Sequence, residues 1–394
     1  MPIAHEHARQ ALSLLLKKVK FSPIISIQGP RQCGKSYLAS KLLPKKLSST
    51  EFKTLDAREN RKLADHNPRI FLQSTTEKHL IIDEVQKSPD LFDEMKTLVD
   101  EKRRPGQFII LGSTEFSIES KIKESLTGRL SKIKIFPFNL SETRNLELNP
   151  IKNYPFIGNK PRVSRSEVLK YLLNGGLPGL FIIKSELEKS HALRDWIDLT
   201  VSRDIFQFKN KKLDSQIAEQ ILHSIATIEE PSAISIANAI GKSTTTTLKH
   251  ILALKNLFVI DEIKPFSKSS GKPVFYLCDV GILNYYNATL DKKILTWLLL
   301  ELKSQLSYKG ELSDKIFYFK SARSKPLHFI YQNNNKLTAM KILSADSFDQ
   351  RDLLIFDSLK KKFPKLNYDF HVLYGGNKQI KNEDILISPW EFIV

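Results

Sequence analysis

The sequence predicts a mainly α/β protein: a parallel sheet in the first third, then helical and finally mixed α+β segments. Three observations carry this. Short apolar runs alternate with amphipathic helical stretches over the first 137 residues, the pattern of a parallel sheet covered by helices on both faces. A glycine-bracketed loop joins the first run to the helix after it. From Asn139 onward the periodicity turns helical.

Five runs read as short buried strands: Ile24–Gln28, Phe52–Leu55, His79–Ile82, Phe108–Leu111 and Lys132–Phe136. Helical patterns lie between them, among them Lys35–Leu43 and Pro89–Glu101. Ser141–Leu148 reads as a helix and Asn149–Arg165 as a Pro/Gly/Asn-rich connection. Ser166–Leu173 and Glu186–Phe206 read as helices around the turn Gly175-Gly176-Leu177-Pro178-Gly179, and lysine-rich Lys209–Lys212 marks a boundary. Helices at Asp214–Ala226, Ser232–Ile240 and Ser243–Lys255, with a turn at Gly241, precede a strand at Leu257–Ile263 ended by Pro265. Helix, helix, turn, helix, strand is winged-helix order. The remainder combines a helix at Asp291–Ser307 with strand-like runs at Ile316–Lys320, Leu327–Tyr331, Leu337–Leu343, Tyr368–Tyr374 and Ile385–Ile387. The expected divisions are 1–138, 139–210, 211–266 and 267–394.

Composition narrows the function classes. The chain has 394 residues, 41% hydrophobic and 26% charged, which excludes a disordered or fibrous chain. Two cysteines, Cys33 and Cys278, exclude a disulfide framework and a Cys-rich zinc module, and fit a reducing compartment. No apolar run reaches the ~18 residues of a membrane span, and the N-terminus lacks a signal-peptide pattern. The expected location is the cytoplasm, without membrane attachment. A net charge of +18, from 61 Lys+Arg against 43 Asp+Glu, suggests an acidic partner such as nucleic acid or nucleotide. Its distribution tempers that: residues 1–50 carry +8, residues 51–100 carry −3, and the rest is spread thinly.

Gly29-Pro30-Arg31-Gln32-Cys33-Gly34-Lys35-Ser36 fits the P-loop pattern in its required strand–loop–helix setting. Backbone N–H groups of such a loop and of the helix start cradle phosphates. Lys35 would reach the β- and γ-phosphates and Ser36 would ligate Mg²⁺. Cys33 reads as a small packing residue. The strand His79–Ile82 ends in Asp83 and Glu84; Asp83 would hold the Mg²⁺ shell and Glu84 would polarise the attacking water. Strand Phe108–Leu111 ends in Gly112-Ser113-Thr114, where a hydroxyl can orient water or touch the γ-phosphate; the same residues also suit a capped turn. Arg129, after Thr127-Gly128, suits either a surface arginine or a positive charge for the transition state, in its own chain or a neighbour's.

Together these residues resemble a family of predicted bacterial and archaeal AAA+ ATPases, whose members join an AAA+ core, a helical lid, a winged helix and a restriction-endonuclease-like C-terminal domain. The motifs that carry the resemblance are GPRQCGKS at 29–36, DEVQKSPDLFDEMKTLVD at 83–100, FIILGST at 108–114 and SLTGRLSKIKIFPFNLSE at 125–142. GGLP at 175–178, the segment at 196–205 and FYLCDVGIL at 275–283 add to them. The resemblance implies nucleotide roles for Lys35, Ser36, Asp83, Glu84 and Arg129, a sensor-like role for Ser113, and ATP rather than GTP.

The C-terminus departs from that family, whose last domain carries a Glu-x-Asp-Phe segment and then a Glu-x-Lys segment. Here His328 stands at the Asp position and Ala339 at the Glu position, while Glu301 and Lys341 survive. One Glu and one Lys hold a divalent metal poorly, so nuclease activity is not expected, and Glu301 reads as an exposed helix residue. The winged-helix segment 213–264 has four basic and six acidic residues, whereas a strong DNA reader is normally basic. The expectation is a Mg²⁺-dependent ATP-binding protein that hydrolyses ATP and couples its nucleotide state to a DNA or protein partner, with a homo-oligomer as a further candidate. The alternative is an ATP-gated DNA-binding regulator with little intrinsic hydrolysis.

Overall fold

The structure, a computed structural model, describes residues 7–115, 126–148, 157–158, 160–208, 212–267, 271–311, 315–321, 324–333 and 335–394. The chain divides into two compact units. One runs to Phe138 and takes in 256–258 and 307–310; the other holds the remaining segments from Asn139.

The first unit comprises α1 (Ala11–Val19), β1 (Ile24–Gln28), α2 (Lys35–Tyr37), β2 (Thr50–Thr54), α3 (Arg58–His66), α4 (Pro68–Gln73), β3 (His79–Asp83), α5 (Leu91–Glu101), β4 (Phe108–Gly112) and β5 (Leu130–Lys134). All five strands run parallel in the order β2-β3-β4-β1-β5. The central strands β1, β3 and β4 are buried throughout, as the strands of a helix-covered parallel sheet should be. The edge strands β2 and β5 are only partly buried, which corrects the reading of all five as buried. β5 also starts at Leu130 rather than Lys132. Its register pairs Ile24 with Leu130 and Gln28 with Lys134, leaving the apolar Ile135 and Phe136 beyond its end. The helix expected over Lys35–Leu43 is a single α-turn that widens into a π-turn at Leu38–Leu42; the same apolar spacing serves both windings.

On one face of this sheet Phe71, Phe92, Met95 and Leu98 pack with Leu80, Ile82, Phe108 and Ile110. Each such side chain contributes ~1.5–3 kcal/mol on burial, enough to fix α5 against the strands. Because α5 leaves the carboxyl end of β3, it runs back and brings Asp100 to the amino edge of the sheet.

The second unit contains α6 (Leu140–Thr143), α7 (Arg165–Asn174), α8 (Pro178–Phe181), α9 (Glu186–Ser202), α10 (Ser215–Thr227), α11 (Ala233–Ala239), α12 (Thr244–Asn256) but for its last residue, β6 (Ile260–Pro265), β7 (Val274–Leu277), α13 (Val280–Tyr285), α14 (Leu290–Lys309) as far as Leu306, β8 (Ile316–Ser321), β9 (Ser324–Asn333), β10 (Lys336–Ile342), α15 (Gln350–Lys362), β11 (Asn367–Tyr374), β12 (Ile380–Asn382) and β13 (Ile385–Pro389). Its eight strands form one sheet, in the order β12-β13-β11-β10-β9-β8-β6-β7. β8, β9 and β10 are successively antiparallel, β10–β11 and β11–β13 are parallel, and β6 lies parallel to β8. The expected division at 266/267 falls between β6 and β7, which pair antiparallel. The division at 210/211 lies outside the described residues, as does most of the Asn149–Arg165 connection. α6 is shorter than the helix expected over Ser141–Leu148, and β7, α13, α15 and β12 were not anticipated. Among the described residues no helix is long and apolar enough to cross a membrane.

Candidate nucleotide site

The loop after β1 is shaped by two residues in the left-handed region, Gln32 (φ 60°) and Gly34 (φ 88°). Gly29 is required by space as well. A Cβ there would lie 2.2 Å from the Ile135 carbonyl oxygen, because Ile135 N–H donates to the Gln28 carbonyl (2.7 Å) and draws that strand alongside. Pro30 and Cys33 are buried, and Gln32 is exposed. Lys35 is also buried. Its ammonium points into the loop and donates to the carbonyls of Gly29 (2.9 Å) and Pro30 (2.8 Å), with Cys33 Sγ at 3.9 Å.

Ser36 Oγ donates to Asp83 Oδ2 at 2.7 Å. The start of α2 and the end of β3 therefore meet, although β4 separates their strands in the sheet. Asp83 is buried, and its Oδ1 accepts the N–H of Glu84 (3.0 Å). Glu84 adopts left-handed backbone angles (φ 56°, ψ 39°). Burial first, and then the neighbouring Asp83, hold its carboxyl above the usual range; the Gln86 amide, which donates to Glu84 Oε2, opposes that shift. β4 ends beside both. Gln28 is the register partner of Gly112, which brings Ser113 level with Gly29, and the Gln28 amide donates to the Thr114 carbonyl (3.0 Å). Lys35, Ser36, Asp83, Glu84 and Ser113 thus gather at the carboxyl edge of one sheet, where ligands of open α/β sheets collect.

Arg129 does not join them. It precedes β5, at the amino edge, and five residues of strand put about 16 Å between that edge and the loop. Asp100 at the end of α5 takes its guanidinium in a bidentate pair, Nε–Oδ1 2.7 Å and Nη2–Oδ2 2.7 Å. This pair lowers the Asp100 carboxyl and raises the arginine. An arginine side chain cannot cover that span, so the reading of Arg129 as a finger within its own chain is corrected.

Residues 21–144 match the family model of an AAA domain. Most of the first unit falls within that match. Residues 165–293 match a model described as a domain of unknown function, DUF8612. An uncharacterised protein of Mycobacterium tuberculosis is 27% identical over 284 residues, 70% of this chain and 58% of that protein, so the chain spans little more than half of that relative. An uncharacterised protein of Methanocaldococcus jannaschii is 22% identical over 407 residues, 97% of this chain and 87% of that protein. Among solved structures, the Walker-type ATPase of Pyrococcus abyssi aligns with a TM-score of 0.44 at 12% identity, over 71% of this chain and 95% of that one.

In the second unit a cavity of about 470 Å³ is lined by Lys292, His328, Lys341 and Asp352, among others. Lys341 is buried and pairs with Asp352 (3.2 Å), and His328 Nδ1 accepts the Ile342 N–H (3.1 Å). Burial pulls the Lys292 amine down to about 8, while its Nζ donates to the Ile228 carbonyl (2.9 Å). Glu301 does not line this cavity, and it is buried, not exposed as expected. It accepts hydrogen bonds from Leu140 N–H (2.8 Å), Ser141 Oγ (3.1 Å) and Gln305 Nε2 (3.0 Å). Burial raises its carboxyl, and these donors oppose that. Among the described residues, no group of three His, Cys, Asp or Glu side chains suits a metal ion.

Two contacts were missed by sequence reasoning. One is Gln86 on Glu84. The other joins two quoted motifs: buried Asp279 accepts from Gly176 N–H (2.6 Å) and Gly281 N–H (2.7 Å). Gly175 (φ 71°) has no room for a Cβ, which would lie 2.1 Å from Asp279 Oδ1.

Proposed function

We propose that the chain binds ATP with Mg²⁺ at the carboxyl edge of the first sheet, hydrolyses it, and couples the nucleotide state to a macromolecular partner. The observation that carries this reading is the 2.7 Å hydrogen bond from Ser36 Oγ to Asp83. It brings together two hard oxygen donors from separate elements, the donor type Mg²⁺ prefers. Bound there, Mg²⁺ would neutralise charge on the β- and γ-phosphates. Lys35 turns its ammonium toward the phosphates, while N–H groups of the loop bind their oxygens. Glu84 takes a proton from the attacking water, and Ser113 orients that water from the end of β4. Arg129 faces away from its own loop, so its charge serves the site of a second copy.

A protein partner is favoured over DNA by the outer face of α12. Leu248 and Leu252, one turn apart, are each 46% exposed there, beside Lys249 and the hydroxyls of Thr244 and Thr245. An apolar pair on that face suits a protein surface better than a phosphate backbone.

The test is Mg²⁺-dependent ATP hydrolysis by wild type, Glu84→Gln and Lys35→Ala, with ATP affinity measured in parallel. Glu84→Gln is expected to keep ATP binding and lose most turnover, and Lys35→Ala to weaken binding itself. Normal turnover by Glu84→Gln would overturn the assignment.

A further inference from the structure

We infer that Gln86 is a positioning residue for the Glu84 carboxylate, an inference that rests on the hydrolysis proposed above. The chain reverses at Glu84 through its left-handed backbone and enters a single 3-10 turn, Val85–Lys87, closed by the Lys87 N–H on the Glu84 carbonyl (3.0 Å). This turn brings the side chains of Glu84 and Gln86 together, and Gln86 Nε2 donates to Glu84 Oε2. The far side of the turn is tied down by an ion pair between Lys87 and Asp56. The other end of the carboxamide carries the argument: Gln86 Oε1 is buried and has no hydrogen-bond partner.

A buried, unpaired carbonyl is costly, and one in a native site calls for a reason. Turning the amide over would set its oxygen against the carboxylate. The orientation is therefore dictated by Glu84, and the orphaned oxygen follows from serving it. Donation to Oε2 does two things for a general base. It fixes the carboxylate's orientation and leaves Oε1 to receive a proton.

The inference is tested with Gln86→Leu, which keeps the bulk and removes the donor, and Gln86→Glu, which puts a second carboxylate against the first. ATP affinity, KM and kcat are measured at pH 7, beside wild type and Glu84→Gln. Both variants should bind ATP within about twofold of wild type and lose about tenfold or more in kcat at pH 7. The loss should fall on kcat and leave KM for ATP near its wild-type value. Unchanged kcat in Gln86→Leu would overturn the inference while leaving Glu84 as the base. Loss of ATP binding together with turnover would assign Gln86 to folding of the turn and overturn it as well. Wild type without Glu84-dependent turnover would instead refute the proposed function, and this inference with it.

Discussion

Asp279 offers a test whose magnitude follows from its burial. Its carboxylate lies wholly inside the second unit between two glycine N–H groups, and burial raises its pKa from 3.8 to about 6, against the pull of the Gly176, Gly281 and Leu177 N–H groups. In the unfolded chain the proton leaves first, so between about pH 4 and 6 the native state binds more protons and stability falls as pH rises. The shift corresponds to roughly 3 kcal/mol in all, of which about 1.4 kcal/mol is lost between pH 5 and pH 8. Asp279→Ala removes that dependence and adds a pH-independent cost by leaving the two N–H groups unpaired. All three tryptophans, Trp196, Trp297 and Trp390, belong to this unit, so urea unfolding followed by tryptophan fluorescence reports on it. The stability difference between wild type and Asp279→Ala should shrink by about 1.4 kcal/mol from pH 5 to pH 8. A difference independent of pH would refute the reasoning.

Glu301→Ala should destabilise the second unit by about 3–5 kcal/mol, because the Leu140 N–H, the Ser141 hydroxyl and the Gln305 amide all lose their acceptor; a loss below about 1 kcal/mol in the same fluorescence assay would return Glu301 to the surface. Arg129→Ala should cut the turnover per molecule about tenfold or more, but only at protein concentrations where copies associate. An equal loss in dilute monomer, checked by light scattering, would rule out action between copies.

The legible parts of the fold were those in which local pattern and burial agree. β1 was located to the residue because isoleucine-rich Ile24–Gln28 is ended by glycine, and β3 and β4 to within one residue because Leu80–Ile82 and Phe108–Leu111 are short apolar runs. β5 was misplaced because its register is set by β1 and not by its own most apolar residues. Glu301 was misread because a polar residue was assumed to face water. Yet α14 is enclosed nearly all round, with Thr296, Ser304 and Gln305 buried along with Trp297, Leu298, Leu299, Leu300 and Leu302, so polarity does not mark its outer face. The loop, the two carboxylates and Ser113 were legible because their spacing along the chain encodes them. The Asp279–Gly176 contact was not, since nothing local ties residues a hundred positions apart. Gln86 lay inside a quoted motif, and only the left-handed turn at Glu84 gives it a partner.

The eight-stranded sheet has a bearing on how this chain tolerates being cut. Its outermost strands, β12 and β7, are three and four residues long, so little unpaired backbone faces solvent at either side. Severing the chain after Pro265 would strip β7 from β6 and leave β8, a six-residue strand, with a bare flank of N–H and C=O groups. Each fragment would then carry a ready template for pairing with other chains. Fragments divided at that point are expected to accumulate as insoluble material, whereas a cut in the connection before α7 leaves every strand pair of both sheets intact.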